Sequence, residues 1–216
     1  MGLLDLLLPP ACAGCGRFGH PLCPDCVSGF CAAATPDDRF AATDPATLVG
    51  DALELAVAAF AHDGNLRRAL QRLKYGGSGQ IAAPLARAAA PALEPLMRLC
   101  GRLPLVPVPV HAARQRQRGY NQAALLAVAL GRQMNLEVLD LLERKKATAR
   151  QHGLGKAGRL HNLRGAFALR VGAQIPSRLI LVDDILTTSA TLESCAEVLR
   201  AAGATSVYGF AIAREV

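Results

Sequence analysis

Residues 178–191 read RLILVDDILTTSAT, and the fold follows from how this stretch is parsed. Four apolar residues, Leu179 to Val182, run into the adjacent acids Asp183 and Asp184, and the hydroxyls of Thr187, Thr188, Ser189 and Thr191 follow. A helical pattern then opens, with Leu192, Cys195, Ala196 and Leu199 on one face. A short apolar run, small polar residues and a helix predict a buried parallel strand, a tight loop and a helix N-terminus. The first N–H groups of a helix are unpaired and its dipole adds partial positive charge, so anions gather there. Acids at the strand end repel a bare phosphate but suit a sugar diol or a Mg²⁺ ion beside one. One loop offering both points to a phosphorylated sugar. The same letters also serve as turn chemistry with Thr188 or Ser189 as an ordinary N-cap, and spacing alone leaves the two readings level.

Downstream, the helix TLESCAEVLRAAGA is expected to stop at Gly203, and TSVYGFAIA returns as a strand. Strand, loop, helix and strand in that order predict an α/β fold with a mainly parallel sheet flanked by helices, whose ligands gather at the carboxyl ends of strands. The chain has 216 residues, half of them hydrophobic, enough for one good-sized core and a small appendage. No apolar run reaches the length of a membrane span. The N-terminal MGLLDLLLPP lacks Lys and Arg and is broken by Pro9 and Pro10, so it reads as a packing segment and not a signal peptide, with a cytoplasmic location expected. The formal net charge of +7 is unevenly placed: residues 111–178 hold thirteen Lys and Arg against three acids. A basic block of this kind implies an anionic partner, polyphosphate or nucleic acid.

Residues 12–26, CAGCGRFGHPLCPDC, contain two C-x₂-C pairs. Thiolates at this spacing suit tetrahedral Zn²⁺, with Cys12, Cys15, Cys23 and Cys26 as ligands. A pair of disulfides is the rival, disfavoured inside a cell. Four thiolates leave no open coordination position, which assigns the site structure and not catalysis. Cys31 reads as a buried thiol or a substitute ligand. Residues 32–48 read as a linker, and residues 53–61 as a strand or a buried helix. NLRRALQRLKYGG is a predicted helix with Leu66, Leu70 and Leu73 inward, Asn65 as cap, and Lys74 as a solvated charge at the exit. Residues 80–100 form another helix, interrupted or bounded by Pro84, Pro91 and Pro95.

Residues 103–110, LPLVPVPV, predict a strand that ends early or lies at an edge, because its prolines donate no ladder bonds. Its tip presents His111, Arg114, Arg116 and Arg118 ahead of a helix with Leu125, Leu126 and Leu130 inward. Arg forks match phosphate oxygens, so Arg114 and Arg118 are candidates for a diphosphate, with a solvated basic turn as the plain alternative. Residues 143–170 are rich in Lys, Arg, Gly and His, and read as a lid over an anionic ligand. His152 and His161 read as loop histidines. Low aromatic content weakens base stacking as the main activity, and leaves Tyr75 and Tyr120 as the aromatic candidates.

These pieces resemble a known family. VDDILTTSAT is similar to the ribose-5-phosphate loop of type I phosphoribosyltransferases, with Ser189 where Gly is usual. The Cys₄ cluster, LKYGG, VPVPVHAARQRQRGYNQ, TARQHGL…GRLHNLRGAF and VDDILTTSAT stand in the order found in the ComF family. The resemblance implies a zinc-finger subdomain and linker at 1–45 and a phosphoribosyltransferase-like domain at 46–216. It implies phosphoribosyl diphosphate as ligand, with Mg²⁺ bridging its oxygens and structural zinc in the finger. Asp183 and Asp184 would hold the ribose diol, and Thr187, Thr188, Ser189, Ala190 and Thr191 the 5-phosphate. Arg114 and Arg118 would take the diphosphate. Lys146, Arg150 and Gln151 fall in the flexible catalytic loop, so the catalytic set is Asp183, Asp184 and Arg150. No segment reads as a nucleobase-recognising hood, so the acceptor is not legible. Association of family members with DNA uptake gives the alternative: a non-enzymatic competence protein that binds single-stranded DNA or a partner ATPase or helicase.

Overall fold

The computed structural model describes residues 9–33, 51–75, 77–145, 163 and 165–215. Aliphatic runs build a four-stranded parallel sheet from β1 (Leu55–Ala61), β2 (Leu105–Pro107), β5 (Arg178–Leu186) and β6 (Ser206–Arg214), in the order β1-β6-β5-β2. β5 and β6 fill the centre, in a register that pairs Val182 with Phe210 and Asp183 with Ala211. Alternation along β5 sends Ile180 and Val182 to one apolar cluster and Leu179 and Leu181 to the other. Both faces are therefore covered, as a parallel sheet requires.

One face is covered by α2 (Gly64–Tyr75), α3 (Ala82–Cys100) and α5 (Gln122–Met134). The other carries α6 (Ala190–Ala201) and an antiparallel hairpin of β3 (Leu142–Arg144) and β4 (Phe167–Leu169). Gly209 lets α6 sit close: a Cβ there would meet Leu192 Cδ1 at 2.9 Å and Ala56 Cβ at 3.1 Å. The fully buried Glu193 ties α6 to the entry of β1, accepting from the Ala52 amide at 2.5 Å and the Leu53 amide at 3.3 Å. Burial raises its pKa against those donations.

Several sequence expectations meet their physical limits here. β2 is a three-residue edge strand ending at Pro107, as its prolines dictate. Of residues 53–61, expected as a strand or a buried helix, Leu55–Ala61 form the strand β1. α3 runs unbroken through Pro91 and Pro95, which lie on its more exposed side, where a carbonyl freed by proline is open to solvent. Asn65 is not a cap but a first-turn residue whose Oδ1 accepts from Arg68, because α2 starts at Gly64. The basic strand tip is itself a helix, α4 (Ala112–Arg118), with His111 Nδ1 accepting from the Ala113 amide at 3.3 Å. α6 ends one turn residue earlier than Gly203, which follows with φ +106°. The expected lid lies mostly outside the described residues, but its two ends are the β3–β4 hairpin. Among the described residues no helix is long and apolar enough to cross a membrane.

Candidate functional site

The carboxyl end of β5 puts Asp183 and Asp184 where ligands gather in such sheets. Asp184 is buried, 4 % exposed, whereas Asp183 is half-buried, with its Oδ1 accepting from the Asp184 amide at 2.8 Å. Burial, then the charge of Asp184, raises the Asp183 pKa well above the usual carboxylate range. Thr187 is exposed, Thr188 and Thr191 are half-buried, and Ser189 and Ala190 are buried as α6 begins. Ser189 is the N-cap residue, yet its hydroxyl does not cap: Oγ donates to the Thr188 carbonyl at 2.7 Å. Its φ of +54° is left-handed. This is the position where glycine is usual in the resembling loop, and the conformation is one that glycine adopts freely.

Lys74 departs from the sequence expectation. It is no solvated terminal charge: Nζ lies 2.5 Å from Asp184 Oδ2, with side chains 11 % and 6 % exposed. The helical spacing carried a signal, since position 74 is four residues from buried Leu70 and so sits beside the apolar stripe. His62, just past β1, carries no motif that would single it out. Its Nε2 is buried with no hydrogen-bond partner among the described residues, and burial, then Lys74, lowers its pKa.

The arginines divide. Arg118 stacks over the Tyr75 ring, 4.9 Å from its centroid, and donates to Gln122 Oε1 at 2.9 Å. Arg114 and Arg144 lie near one another: burial, then the charge of Arg114, lowers the Arg144 pKa, and the charge of Asp183 opposes the shift. Arg144 does not stand out in the sequence. It shares a strand face with buried Leu142, and its guanidinium lies over the Phe167 ring at 5.2 Å. Tyr120 donates to the Leu73 carbonyl at 2.6 Å and so is spent on packing α2. Lys146, Arg150 and Gln151 lie outside the described residues.

Cys12, Cys15, Cys23 and Cys26 converge, their Sγ atoms all within 4.8 Å of one another. The pairs Cys12–Cys26 and Cys15–Cys23 are each separated by 3.7 Å. Zinc–sulfur bonds of about 2.3 Å in a tetrahedron require sulfur separations of about 3.8 Å, so the cluster can hold a metal ion such as zinc. Burial raises the Cys12 pKa, but hydrogen bonds from the backbone at Cys15, Cys23 and Gly14 outweigh it and bring it down to about 6, favouring the thiolate a metal needs. The second pair leads into α1 (Pro24–Ser28), and Cys31 is exposed and outside the cluster, against the expectation of burial. The knuckle is fastened to α2, where Arg72 donates to the Cys12 carbonyl at 2.9 Å.

No family model matches the chain. It is similar to Competence protein F of Haemophilus influenzae, 36 % identical over 151 residues covering 67 % of this chain and 66 % of that protein. The DNA utilization protein YhgH of Escherichia coli K12 is 32 % identical over 149 residues, 67 % of this chain and 65 % of that protein. The chain thus spans just under two thirds of these relatives' own length. Among solved structures it is similar to orotate phosphoribosyltransferase from Aeropyrum pernix, at 17 % identity and a TM-score of 0.33, covering 71 % of this chain and 62 % of that one. With relatives 32–36 % identical over two thirds of its length, the chain belongs to the ComF family, here a parallel sheet flanked by helices behind a knuckle of four cysteines that could hold a metal ion.

Proposed function

We propose that the β5–α6 turn is a ribose-5-phosphate site that takes phosphoribosyl diphosphate with Mg²⁺. The observation that carries this reading is the sequence of two carboxylates at the end of β5, a left-handed Ser189 and the start of α6. The acids suit the ribose diol, and the first amides of α6 with the hydroxyls of Thr187, Thr188, Ser189 and Thr191 suit the 5-phosphate. Mg²⁺ is supplied with the ligand, and Asp183 and Asp184 are the residues on this chain suited to it, hard carboxylate oxygens that take one or two positions while water and phosphate fill the rest. Arg114, Arg118 and Arg144 are the candidate cations for the diphosphate. In the enzymatic form of this reading they neutralise the leaving diphosphate as the phosphoribosyl group passes to an acceptor, with Arg150 contributing from the loop. The four thiolates hold structural zinc.

A second reading is favoured by the names of the relatives, a competence protein and a DNA utilization protein, and by the concentration of cations. In it the chain is a cytoplasmic accessory to DNA uptake that binds single-stranded DNA or a partner ATPase or helicase. Calorimetric titration of zinc-loaded protein with phosphoribosyl diphosphate and Mg²⁺, beside Asp183→Asn/Asp184→Asn, separates the two. Binding by the native protein and its disappearance in the variant supports the first, and equal absence in both sinks it. Salt-dependent binding of single-stranded DNA that survives the variant supports the second.

A further inference from the structure

The sequence of α2, GNLRRALQRLKY, carries Arg67, Arg68, Arg72 and Lys74 and no acid at all. Its inward face is the apolar set Leu66, Ala69, Leu70 and Leu73. On another face Arg68, Gln71, Arg72 and Tyr75 follow at i, i+3, i+4 and i+7, and together line an open groove of about 460 Å³. Lys74 spends its charge on Asp184. Among the described residues Arg67, Arg68 and Arg72 have no carboxylate partner, so this stretch of surface carries positive charge that the fold itself does not neutralise.

Tyr75 closes the groove with 63 % of its surface exposed, and Arg118 lies on its ring. An exposed aromatic ring gains little from water, and the cation that lies on it, Arg118, is itself suited to phosphate. The other exposed aromatic among the described residues, Phe18, sits on the knuckle that Arg72 fastens to α2. Cations at one-turn spacing beside a solvent-facing ring have the composition of a single-stranded nucleic-acid surface: guanidinium groups for the phosphates, and a ring for an unstacked base. A duplex keeps its bases stacked and offers nothing to Tyr75. An acidic peptide would use the arginines and leave the ring idle.

We propose that the groove along Arg68, Gln71, Arg72 and Tyr75 is the track on which this protein holds a single-stranded nucleic acid. This rests on the nucleic-acid reading above and gives it a location. The track ends at Tyr75, one residue beyond Lys74 and its ion pair with Asp184, so a bound strand reaches the edge of the phosphoribosyl site.

The test is fluorescence anisotropy of zinc-loaded full-length protein with a labelled oligothymidylate, over a range of salt. The variants are Arg68→Glu/Gln71→Glu, which leaves the Arg72 bond to the knuckle in place, Tyr75→Ala and Tyr75→Phe. Zinc content and melting temperature establish that each variant is folded. Removing a stacking partner should weaken binding by about five-fold or more in Tyr75→Ala, with Tyr75→Phe close to native. Charge reversal should weaken it further and make the slope of log K against log salt shallower by about 0.7 for each phosphate no longer neutralised. Native affinity in both Tyr75→Ala and Arg68→Glu/Gln71→Glu overturns the track while leaving the nucleic-acid reading standing. Failure of the native protein to bind the oligomer overturns both. Equal competition by polyglutamate at matched charge overturns the track in favour of an acidic protein partner.

Discussion

Lys74 at the end of α2 and Asp184 near the end of β5 form an ion pair of 2.5 Å whose two side chains are 11 % and 6 % exposed. The pair joins the helix that carries the knuckle to the strand that carries the candidate ribose acids. A buried pair is a poor source of net stability, but breaking it on one side leaves a charge with neither water nor partner. Lys74→Met should therefore cost about 3–5 kcal/mol in urea unfolding. Lys74→Met/Asp184→Asn should recover most of that, because the orphaned charge is gone. Simple additivity of the two single changes would show that the side chains are not coupled.

Asp183 gives the apo protein a signed pH dependence. Its folded pKa is raised by burial, then by Asp184, above the ordinary value of 3.8, so the folded state holds this proton more tightly than the unfolded chain. The associated stability is present below the unfolded value and is lost as pH rises towards the raised folded one. Asp183→Asn carries no such titration. Thermal melts across pH should show the variant gaining on the native protein as pH rises from about 4, and the gap closing in acid. A gap that widens in acid would contradict the direction of the shift.

Ser189 holds φ +54° without the freedom of glycine. Left-handed backbone costs an L-residue about 1–2 kcal/mol, and glycine returns part of that to unfolded-chain entropy. Ser189→Gly should thus stabilise the protein by about 0.5–1 kcal/mol, a rise of roughly 1–4 °C in melting temperature for a chain of this size. A fall in melting temperature would mean that the hydroxyl bond to Thr188 outweighs the strain.

Gly209 is set by close approach and not by φ. A methyl there meets Leu192 Cδ1 and Ala56 Cβ at 2.9 and 3.1 Å, so Gly209→Ala should cost about 1–3 kcal/mol. Shortening the opposing side chain makes room, and Gly209→Ala/Leu192→Ala should cost less than the sum of the two single changes. Chemical denaturation of the three variants measures the difference.

The sequence alone determined what depends on local pattern. RLILVDDILTTSAT specified strand, acids, turn and helix because apolar runs, turn chemistry and helical spacing act over a few residues. The cysteine spacing likewise foretold the convergence of Cys12, Cys15, Cys23 and Cys26. The short, edge position of β2 followed from prolines that cannot donate. Tertiary structure alone decided which distant charges meet. Lys74 stands 110 residues before Asp184 in the chain, and the helical spacing that sets it beside the apolar stripe cannot say which carboxylate it meets. Arg144 feels the charge of Asp183 although β3 and β5 belong to different sheets, because the buried residues of both sheets share one apolar cluster. The pattern of a chain fixes which residues prefer to be buried, but the electrostatics of a site depend on which of them share the same small volume, and packing sets that.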